Sequence, residues 1–199
     1  MNDEMRSYYD RRAAEYDDWW LGTGLFAMRE RPGWREEVEQ LVGLIRALPP
    51  ARTVDLGCGT GFLTRHLPGD VVGVDQSARM LEIARTARPG MQVVQCDASS
   101  LPFADHEFDR VFTSHVYGHL TAAQRRRFIA EARRVGRSLV VVDSARQPSR
   151  PSEEWQERKL EDGTTHQVYK RFFTGADLAD ELGGATVRHD GRWFVVVTS

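Results

Sequence analysis

The positions of apolar and polar residues predict helices and strands that follow one another in turn along most of the chain. Apolar residues at helical spacing predict a helix over 34–48, which Pro49 and Pro50 end. After it, short β-branched runs alternate with amphipathic stretches. The predicted strands lie at 52–57, 71–75, 91–97, 108–114 and 138–143, and the predicted helices lie at 61–67, 79–87 and 121–135. This alternation is typical of an α/β protein with a mostly parallel sheet covered on both faces.

The C-terminal part of the chain departs from this alternation. Residues 175–184, GADLADELGG, predict a short helix, and two strands follow it in the stretch 185–199. These strands flank Asp190 and Gly191, a dipeptide suited to a tight hairpin turn. We therefore expect a sheet of seven strands that finishes on an antiparallel hairpin.

Two segments lie outside the predicted sheet. Residues 144–170 are polar, contain Pro148 and Pro151, and interrupt the link between the fifth strand and the last helix. Residues 1–33 precede the first predicted helix and are unusually rich in aromatic side chains. These are Tyr8, Tyr9, Tyr16, Trp19, Trp20 and Phe26. We expect one domain over 34–199, with 144–170 as an insertion and 1–33 as a separate N-terminal segment.

Composition narrows the class of protein only slightly. The chain has 199 residues, of which 41% are hydrophobic and 28% are charged, as in ordinary globular domains. A net charge of −2 argues against a nucleic-acid binder with a large basic surface, and the arginines at 125–127 are expected to be the solvated face of a helix. Two cysteines imply no disulfide framework, and the N-terminus carries no apolar leader. We therefore expect a cytoplasmic protein.

The stretch TVDLGCGTGFLT, residues 53–64, places Gly57, Gly59 and Gly61 directly after a predicted strand. The spacing is G-x-G-x-G and not the G-x-G-x-x-G of dinucleotide-binding turns. Asp55 lies inside that strand, and Asp75 ends the next one, where it would accept hydrogen bonds from a ribose diol. A buried carboxylate would repel a pyrophosphate and attract a nucleoside that bears an amino acid. The pattern therefore favours S-adenosylmethionine (SAM) over NAD as the ligand.

Three consecutive stretches resemble, in order and spacing, the motifs of class I SAM-dependent methyltransferases. They are VDLGCGTGFLTRHL, VVGVDQSARMLEIAR and VQCDASSLPFADHEFDRVFTSHVYGHL. The resemblance covers residues 50–143 and is greatest to the small-molecule branch (methyltransferase type 11) that includes ubiquinone and menaquinone biosynthesis enzymes. It implies a Rossmann-like fold, SAM as cofactor and S-adenosylhomocysteine (SAH) as product. It also implies a small-molecule acceptor that is methylated on oxygen, nitrogen or carbon.

The resemblance also implies which residues hold the cofactor. The ammonium group of SAM would lie near Asp55, and the ribose would bind Asp75. The adenine would contact Gln76, Asp97 and the backbone of Ala98. The residues expected around the methionine part are Gly57, Cys58, Gly59, Gly61, Ser114 and His115.

Methyl transfer from a sulfonium is an in-line displacement, so the protein mainly positions the acceptor and excludes water. A general base helps when the acceptor is a hydroxyl or an acidic carbon, and imidazole suits that role near neutral pH. His115 and His119 lie in SHVYGHL, a stretch that borders the transferred methyl in similar enzymes. We expect His119 to be the catalytic base or a substrate contact, with His115 as the second candidate. The alternative is that one of them only shapes the pocket.

The N-terminal stretch YYDRRAAEYDDWW resembles the Y-D-x-x-A-x-x-Y-D opening of small-molecule methyltransferases. The resemblance implies a lid over residues 1–33 in which Tyr16 approaches SAM. Trp19, Trp20 and Phe26 would form an apolar wall for a flat or hydrophobic acceptor, or would only pin the segment onto the domain.

The insertion at 144–170 is expected to shape the acceptor site from the opposite side. Two of its residues, Arg158 and Lys159, are cations that would suit an anionic group. The residues expected to bind the acceptor are Tyr9, Trp19, Trp20, Tyr117 and His166. A small aromatic or polyketide-like metabolite, or a quinone precursor, is the acceptor that we favour.

Other functions stay open on the sequence alone. A nucleic-acid amino-methyltransferase would need an Asn/Asp-Pro-Pro-aromatic sequence after the fourth strand, where this chain reads TSHV. A SAM-binding protein that catalyses a non-methylating step, such as a cyclisation, would have the same cofactor motifs but would release no SAH. A regulatory binding module is a third alternative. We expect no metal, no nucleic-acid or membrane partner, and a monomer or homodimer.

Overall fold

A computed structural model describes residues 3–148 and 150–199 of the chain. The helices of four or more residues are α1 (Asp3–Arg12), α2 (Asp18–Leu21), α3 (Trp34–Arg46), α4 (Ala78–Ala87), α5 (Ala122–Val135) and α6 (Gly175–Glu181). The strands are β1 (Thr53–Leu56), β2 (Val71–Asp75), β3 (Gln92–Gln95), β4 (Arg110–Ser114), β5 (Leu139–Ser144), β6 (Glu153–Lys159), β7 (Thr165–Arg171), β8 (Thr186–Asp190) and β9 (Phe194–Thr198). None of the helices within the described ranges is long and apolar enough to span a lipid bilayer.

Seven strands form one sheet in the order β3-β2-β1-β4-β5-β9-β8. The first five run parallel, and β9 pairs antiparallel with both β5 and β8. In this register Asp55 of β1 lies beside Gly73 of β2 and Phe112 of β4. The chain leaves β1 toward β2 on one side while β4 lies on the other, so the carboxyl end of β1 is a topological switch point, where open α/β sheets bind ligands. The predicted seven-stranded fold with an antiparallel end is confirmed.

Two apolar layers cover the sheet and fix the ends of its central strands. One layer contains Phe128 of α5 and Leu178 of α6. The other contains Ile45 of α3 and Leu81 of α4. All residues of β1 are buried between the layers, as expected for a central parallel strand. The residues that follow β1, β2 and β4 therefore start from rigid positions.

The helix predicted over 61–67 is much shorter than expected. Only a 3₁₀ turn, Thr64–His66, forms there. The hydroxyl of Thr64 donates a hydrogen bond to Oδ2 of Asp55 at 2.6 Å, which ties the turn to the end of β1. Leu67 is extended, because the residue before a proline disfavours the helical region and Pro68 follows it.

The insertion contains a hairpin that the sequence pattern did not predict. Strands β6 and β7 pair antiparallel, with Glu154 beside Lys170 and Arg158 beside His166. Along β6 the residues alternate between half-buried and exposed. The sequence of this strand, EEWQERK, has charged residues on both faces. The period of two that marks a strand is therefore absent from its hydrophobicity.

Arg125 contradicts the expectation that residues 125–127 are a solvated helix face. Its side chain is buried, with Nε 3.0 Å from Oε2 of Glu181 and Nη1 2.8 Å from the carbonyl oxygen of Leu120. Arg126 and Arg127 are exposed, as expected. The charge of Arg125 therefore joins α5 to α6 inside the protein.

Candidate active site

The three glycines of the turn after β1 all have a positive φ, of 75° at Gly57, 54° at Gly59 and 80° at Gly61. A Cβ atom on Gly57 would collide with the side chain of Val116, and one on Gly61 would lie 3.3 Å from the Cα of Ala84 in α4. Gly57 and Gly61 therefore permit close packing of the loop after β4 and of α4. Gly59 has no such neighbour and lines an open cleft.

Asp75, at the end of β2, is fixed beside the glycine turn. Its Oδ2 accepts a hydrogen bond from the amide of Gly59, and its Oδ1 accepts one from the amide of Ser77, both at 2.9 Å. Burial raises the pKa of Asp75, and the hydrogen bonds from these two amides oppose the shift. An ionised carboxylate has about four acceptor positions, so Asp75 keeps acceptor capacity for the hydroxyls of a ligand.

A smaller cleft lies between the glycine turn and the N-terminal segment, with about 630 Å³ of empty space that includes its solvent-open part. Two polar atoms of residues that line it, Oγ of Ser114 and Nε2 of His115, are buried without a hydrogen-bond partner among the described residues. Since buried polar groups are normally bonded, these atoms mark a place for ligand groups. The predicted cofactor residues that line the cleft are Tyr16, Gly57, Gly59, Asp75, Gln76, Ala98 and Ser114. This set fits a nucleoside with an amino-acid end.

A larger cleft lies between the N-terminal segment and the β6–β7 hairpin, with about 2150 Å³ of empty space, again including its open part. Four side chains line both clefts: Tyr9, Tyr16, His115 and His119. The two spaces therefore meet at these tyrosine and histidine side chains. A group held in one cleft would face a group held in the other at that place.

His115 follows β4 with a φ of 57°, a left-handed conformation that is rare for residues other than glycine. Its Nδ1 lies 3.3 Å from Oγ of Ser144 and 3.9 Å from Oδ1 of Asp143. Burial lowers the pKa of His115 to about 3, and the positive charge of Lys170 contributes. The ring is therefore neutral at physiological pH, with its Nε2 free of protein partners among the described residues.

His119 ends a 3₁₀ turn, Tyr117–His119, and its protonation state follows from one contact. Its Nδ1 lies 2.7 Å from the carbonyl oxygen of Tyr169. A carbonyl oxygen only accepts hydrogen bonds, so Nδ1 must carry the proton and Nε2 must carry the lone pair. Burial lowers the pKa of His119 well below its ordinary value, and the charges of Lys170 and Arg158 lower it further. His119 is thus a neutral imidazole with a basic nitrogen beside both clefts.

A buried ion pair supports the turn that carries His119. Nζ of Lys170 in β7 lies 2.5 Å from Oδ1 of Asp143 in β5, and both side chains are almost fully buried. Oδ2 of Asp143 accepts a hydrogen bond from the amide of Gly118 at 2.7 Å. Neither Asp143 nor Lys170 was expected from the sequence. The one available signal was an acidic residue inside the apolar run LVVVDS of β5.

Comparison with known proteins gives the family. Residues 54–140 match the family described as "Methyltransferase domain". A solved structure titled "DhpI-SAH complex structure" superposes with a TM-score of 0.73 over 98% of this chain and 94% of that chain, at 25% identity. Residues 54–140 form the core of a class I SAM-dependent methyltransferase domain. The expected family and fold are confirmed, and the comparisons support SAM as the cofactor of this domain.

The sequence is also similar to curated methyltransferases that are named for quinone substrates. A demethylmenaquinone methyltransferase from Renibacterium salmoninarum is 33% identical over 71% of this chain and 59% of the relative. A 2-phytyl-1,4-naphtoquinone methyltransferase from Trichormus variabilis is 32% identical over 68% of this chain and 61% of the relative. The chain therefore spans about three-fifths of the length of these relatives.

Four residues predicted to hold the cofactor do not line the smaller cleft of the methyltransferase domain. Asp55 is fully buried beneath the turn; burial raises its pKa to about 7, and its Oδ1 has no partner among the described residues. Cys58 is buried with its Sγ toward β2, Gly61 packs on α4, and Asp97 accepts hydrogen bonds from the amide and hydroxyl of Ser99, both at 2.8 Å. These residues shape the loops around the cleft.

The residues predicted to bind the acceptor divide into two groups. Tyr9 and Trp19 line the larger cleft of the domain. Trp20 instead stacks on Phe62 in the core at 4.8 Å between ring centres. Tyr117 is buried and donates a hydrogen bond to Glu181 at 2.9 Å, and His166 packs against Tyr8. None of these three side chains lines either cleft. Their binding of the acceptor stays a prediction.

Proposed function

We propose that this chain transfers a methyl group from SAM, bound in the smaller cleft, to a small molecule bound in the larger cleft. The observation that carries the proposal is the meeting of the two clefts at Tyr9, Tyr16, His115 and His119. Methyl transfer requires donor and acceptor to approach along one line in a site closed to water. The names of the curated relatives support a small-molecule acceptor of the quinone type.

For the cofactor we propose roles that follow from the positions of the lining residues. Asp75 would accept hydrogen bonds from the ribose hydroxyls, and Gln76 and Ala98 would lie beside the adenine. Oγ of Ser114 would gain at the methionine end the partner that it lacks within the protein. Asp55 would act from behind the turn, through its charge, on the ammonium group.

The chain's own residues would complete the reaction around an activated methyl group, which is the chemistry that SAM supplies when bound. Nε2 of His119 would accept the proton of the acceptor. Because the pKa of His119 is depressed, the ring stays neutral at physiological pH but is a weak base. We therefore expect it to take up the proton while the new bond to the methyl forms. Tyr9, Tyr16 and Trp19 would exclude water from the junction.

Residues 1–33 would act as the lid of the domain, and residues 144–170 as the opposite wall of the acceptor site. Two hydrogen bonds support this organisation. The hydroxyl of Ser77 donates to Asp10 at 2.6 Å, and the hydroxyl of Thr60 donates to Asp17 at 2.5 Å. The N-terminal segment is thus attached to both loops that border the cofactor. Cofactor binding and the position of the lid are therefore expected to be coupled.

We further propose a small molecule and not a nucleic acid or a membrane as partner, in a cytoplasmic monomer or homodimer. The net charge of −2 supports this choice. A non-methylating reaction with SAM is not favoured, since the curated relatives described above are named as methyltransferases.

The first test is calorimetric titration of the purified chain with SAM and SAH, together with two aspartate variants. We expect Asp75→Ala to weaken both ligands at least tenfold, which is about 1.4 kcal/mol. Asp70→Ala removes an exposed carboxylate at the amino end of β2, the end opposite to Asp75, and should change neither affinity. A folded wild-type chain that binds neither ligand would contradict the proposal. Release of SAH with a mixture of candidate acceptors then tests methyl transfer itself.

A further inference from the structure

Three arginines among the described residues are buried, and they differ in their partners. Arg110 lines neither cleft and donates a hydrogen bond to the carbonyl oxygen of Pro49 at 2.7 Å. Arg12 and Arg125 are each only 5% exposed. Arg125 is paired with the carboxylate of Glu181 at 3.0 Å. Arg12 donates a hydrogen bond to the hydroxyl of Tyr8 at 2.5 Å, and no carboxylate among the described side chains lies within 4 Å of its guanidinium. A buried guanidinium stays charged and normally has an anionic partner, and the residues that the structure describes supply none to Arg12.

Arg12 lines the larger cleft, where aromatic rings surround its guanidinium. The guanidinium carbon lies 5.1 Å from the ring centre of Tyr16 and 5.9 Å from that of Phe26. Rings attract a cation but leave its charge uncompensated. Tyr16 also lines the smaller cleft, so Arg12 lies close to the junction of the two clefts.

Two further arginines converge on the same space from other segments. Arg158, on the half-buried face of β6, donates a hydrogen bond to Gln156 at 2.8 Å. Arg29 lies in the lid segment. It is exposed and lines the same cleft as Arg12 and Arg158. Partial burial lowers the pKa of Arg29, and the positive charges of Arg158 and Arg12 lower it further. Neither Arg29 nor Arg158 forms an ion pair with a described carboxylate.

The larger cleft is also lined by four glutamates, Glu15, Glu30, Glu154 and Glu157, and none of them forms a described ion pair with Arg12, Arg29 or Arg158. Oε2 of Glu15 accepts a hydrogen bond from the amide of Glu161, and Oε1 of Glu154 accepts one from Gln156. Lys170, the other buried cation of the cleft, has its own partner in Asp143. The larger cleft therefore holds three arginines, Arg12, Arg29 and Arg158, that form no ion pair with a described carboxylate.

We propose that the acceptor carries an oxoanion group, a carboxylate or a phosphate-like group, which Arg12, Arg29 and Arg158 bind in the larger cleft. This inference rests on the proposed function and narrows its substrate class, because an uncharged quinone precursor would leave Arg12 buried without an anion. Planar guanidinium groups suit such anions, since two N–H groups of one arginine can donate to two oxygens. The atom to be methylated would then lie at His119, at the junction of the two clefts.

The test compares three probes of similar shape, benzoate, phenylphosphonate and benzamide, in calorimetric titrations with and without SAH. We expect at least one of the two anions to bind at least tenfold more tightly than benzamide. Arg158→Gln and Arg12→Gln should each weaken that anion about tenfold. Arg158 is half-buried in a hairpin, so its variant remains informative if Arg12→Gln does not fold. Arg126→Gln removes an exposed arginine of α5 and should have no effect.

The outcomes separate the two proposals. Benzamide binding as tightly as the anions, or anion binding that Arg158→Gln leaves unchanged in a folded protein, would overturn the inference on the acceptor. A chain that binds no SAH would contradict the proposed function, while the titrations without SAH would still decide whether the arginines bind an oxoanion. Preference for benzoate or for phenylphosphonate identifies the kind of oxoanion.

Discussion

The smaller and the larger cleft are built from different parts of the polypeptide. The smaller cleft is shaped by backbone, through glycines with positive φ and a carboxylate held by two amides. The larger cleft is shaped by long side chains such as Arg12 and Arg158, which come from segments far apart in the sequence. A single added Cβ atom disrupts a binding site that the backbone forms. In a site formed by separate side chains, one substitution removes one charge and leaves the other contacts in place. We therefore expect cofactor binding to be fixed by main-chain shape and acceptor choice by a few side chains.

The largest effect is expected at the junction, where side-chain chemistry would act on the acceptor. His119→Asn keeps a donor for the carbonyl oxygen of Tyr169 but removes Nε2. We expect kcat to fall by about 10²- to 10⁴-fold, the usual contribution of a general base, with a much smaller change in SAM affinity. Because the pKa of His119 is depressed, this group should leave the wild-type rate flat between pH 6.5 and pH 8.

The measurement is SAH release under saturating SAM, across that pH range, with an acceptor found in the screen. His66→Asn is the matched control, because His66 lies outside both clefts and contacts Arg46 of α3 instead. Equal rates for His119→Asn and the wild type would mean that the acceptor loses its proton without help. The histidine would then be a positioning residue.

The next largest effect tests whether the backbone shapes the smaller cleft. Gly57→Ala places a Cβ against Val116 at a φ of 75°, and Gly33→Ala adds the same atom at a φ of 76° with nothing within 4 Å. The left-handed conformation alone costs an alanine about 1–2 kcal/mol, and overpacking adds about 1–3 kcal/mol. We expect the free energy of unfolding to fall by about 2–5 kcal/mol for Gly57→Ala and by about 1–2 kcal/mol for Gly33→Ala.

Denaturant titration measures both losses, and SAM titration of the folded variants shows which of them alters the cleft. Only Gly57→Ala should weaken SAM. If both variants lose the same stability and both bind SAM normally, close packing at Gly57 is unimportant. The smaller cleft would then depend less on backbone shape than we infer.

The sequence predicts the residues of the smaller cleft better than those of the larger cleft, because the smaller cleft is formed by contiguous stretches of backbone. Gly57, Gly59 and Asp75 lie at fixed offsets from strand ends, and the parallel strands bring those ends together, so a contiguous pattern is enough to identify them. The hairpin β6–β7 carries no hydrophobic period, so its strands were missed. The pairing of Asp143 with Lys170 depends on that hairpin and could not be foreseen.

Aromatic residues show the same limit in the N-terminal segment. Trp19 and Trp20 are neighbours of the same type, yet Trp19 lines the larger cleft and Trp20 stacks on Phe62 in the core. A short helix, α2, turns adjacent side chains in different directions. Composition predicted an aromatic wall, but only the tertiary structure decides which tryptophan belongs to it.

The smallest effect concerns Asp55, whose side chain lies buried beneath the glycine turn of the smaller cleft. Burial raises its pKa from the ordinary 3.8 to about 7 in the folded protein. Between these values the folded chain keeps a proton that the unfolded chain has lost, so the free energy of unfolding decreases as pH rises from about 4 to about 7. Asp55→Asn removes the buried charge and keeps an acceptor for the hydroxyl of Thr64. At pH 8 we expect this variant to be about 1–3 kcal/mol more stable than the wild type, and at pH 4 the difference should vanish.

Denaturant titrations at the two pH values measure this difference in stability, with the exposed Asp70→Asn as control. A stability difference that does not change with pH would mean that Asp55 stays ionised in the folded state, and a weaker SAM affinity of Asp55→Asn would show that its charge serves the cofactor at the expense of stability.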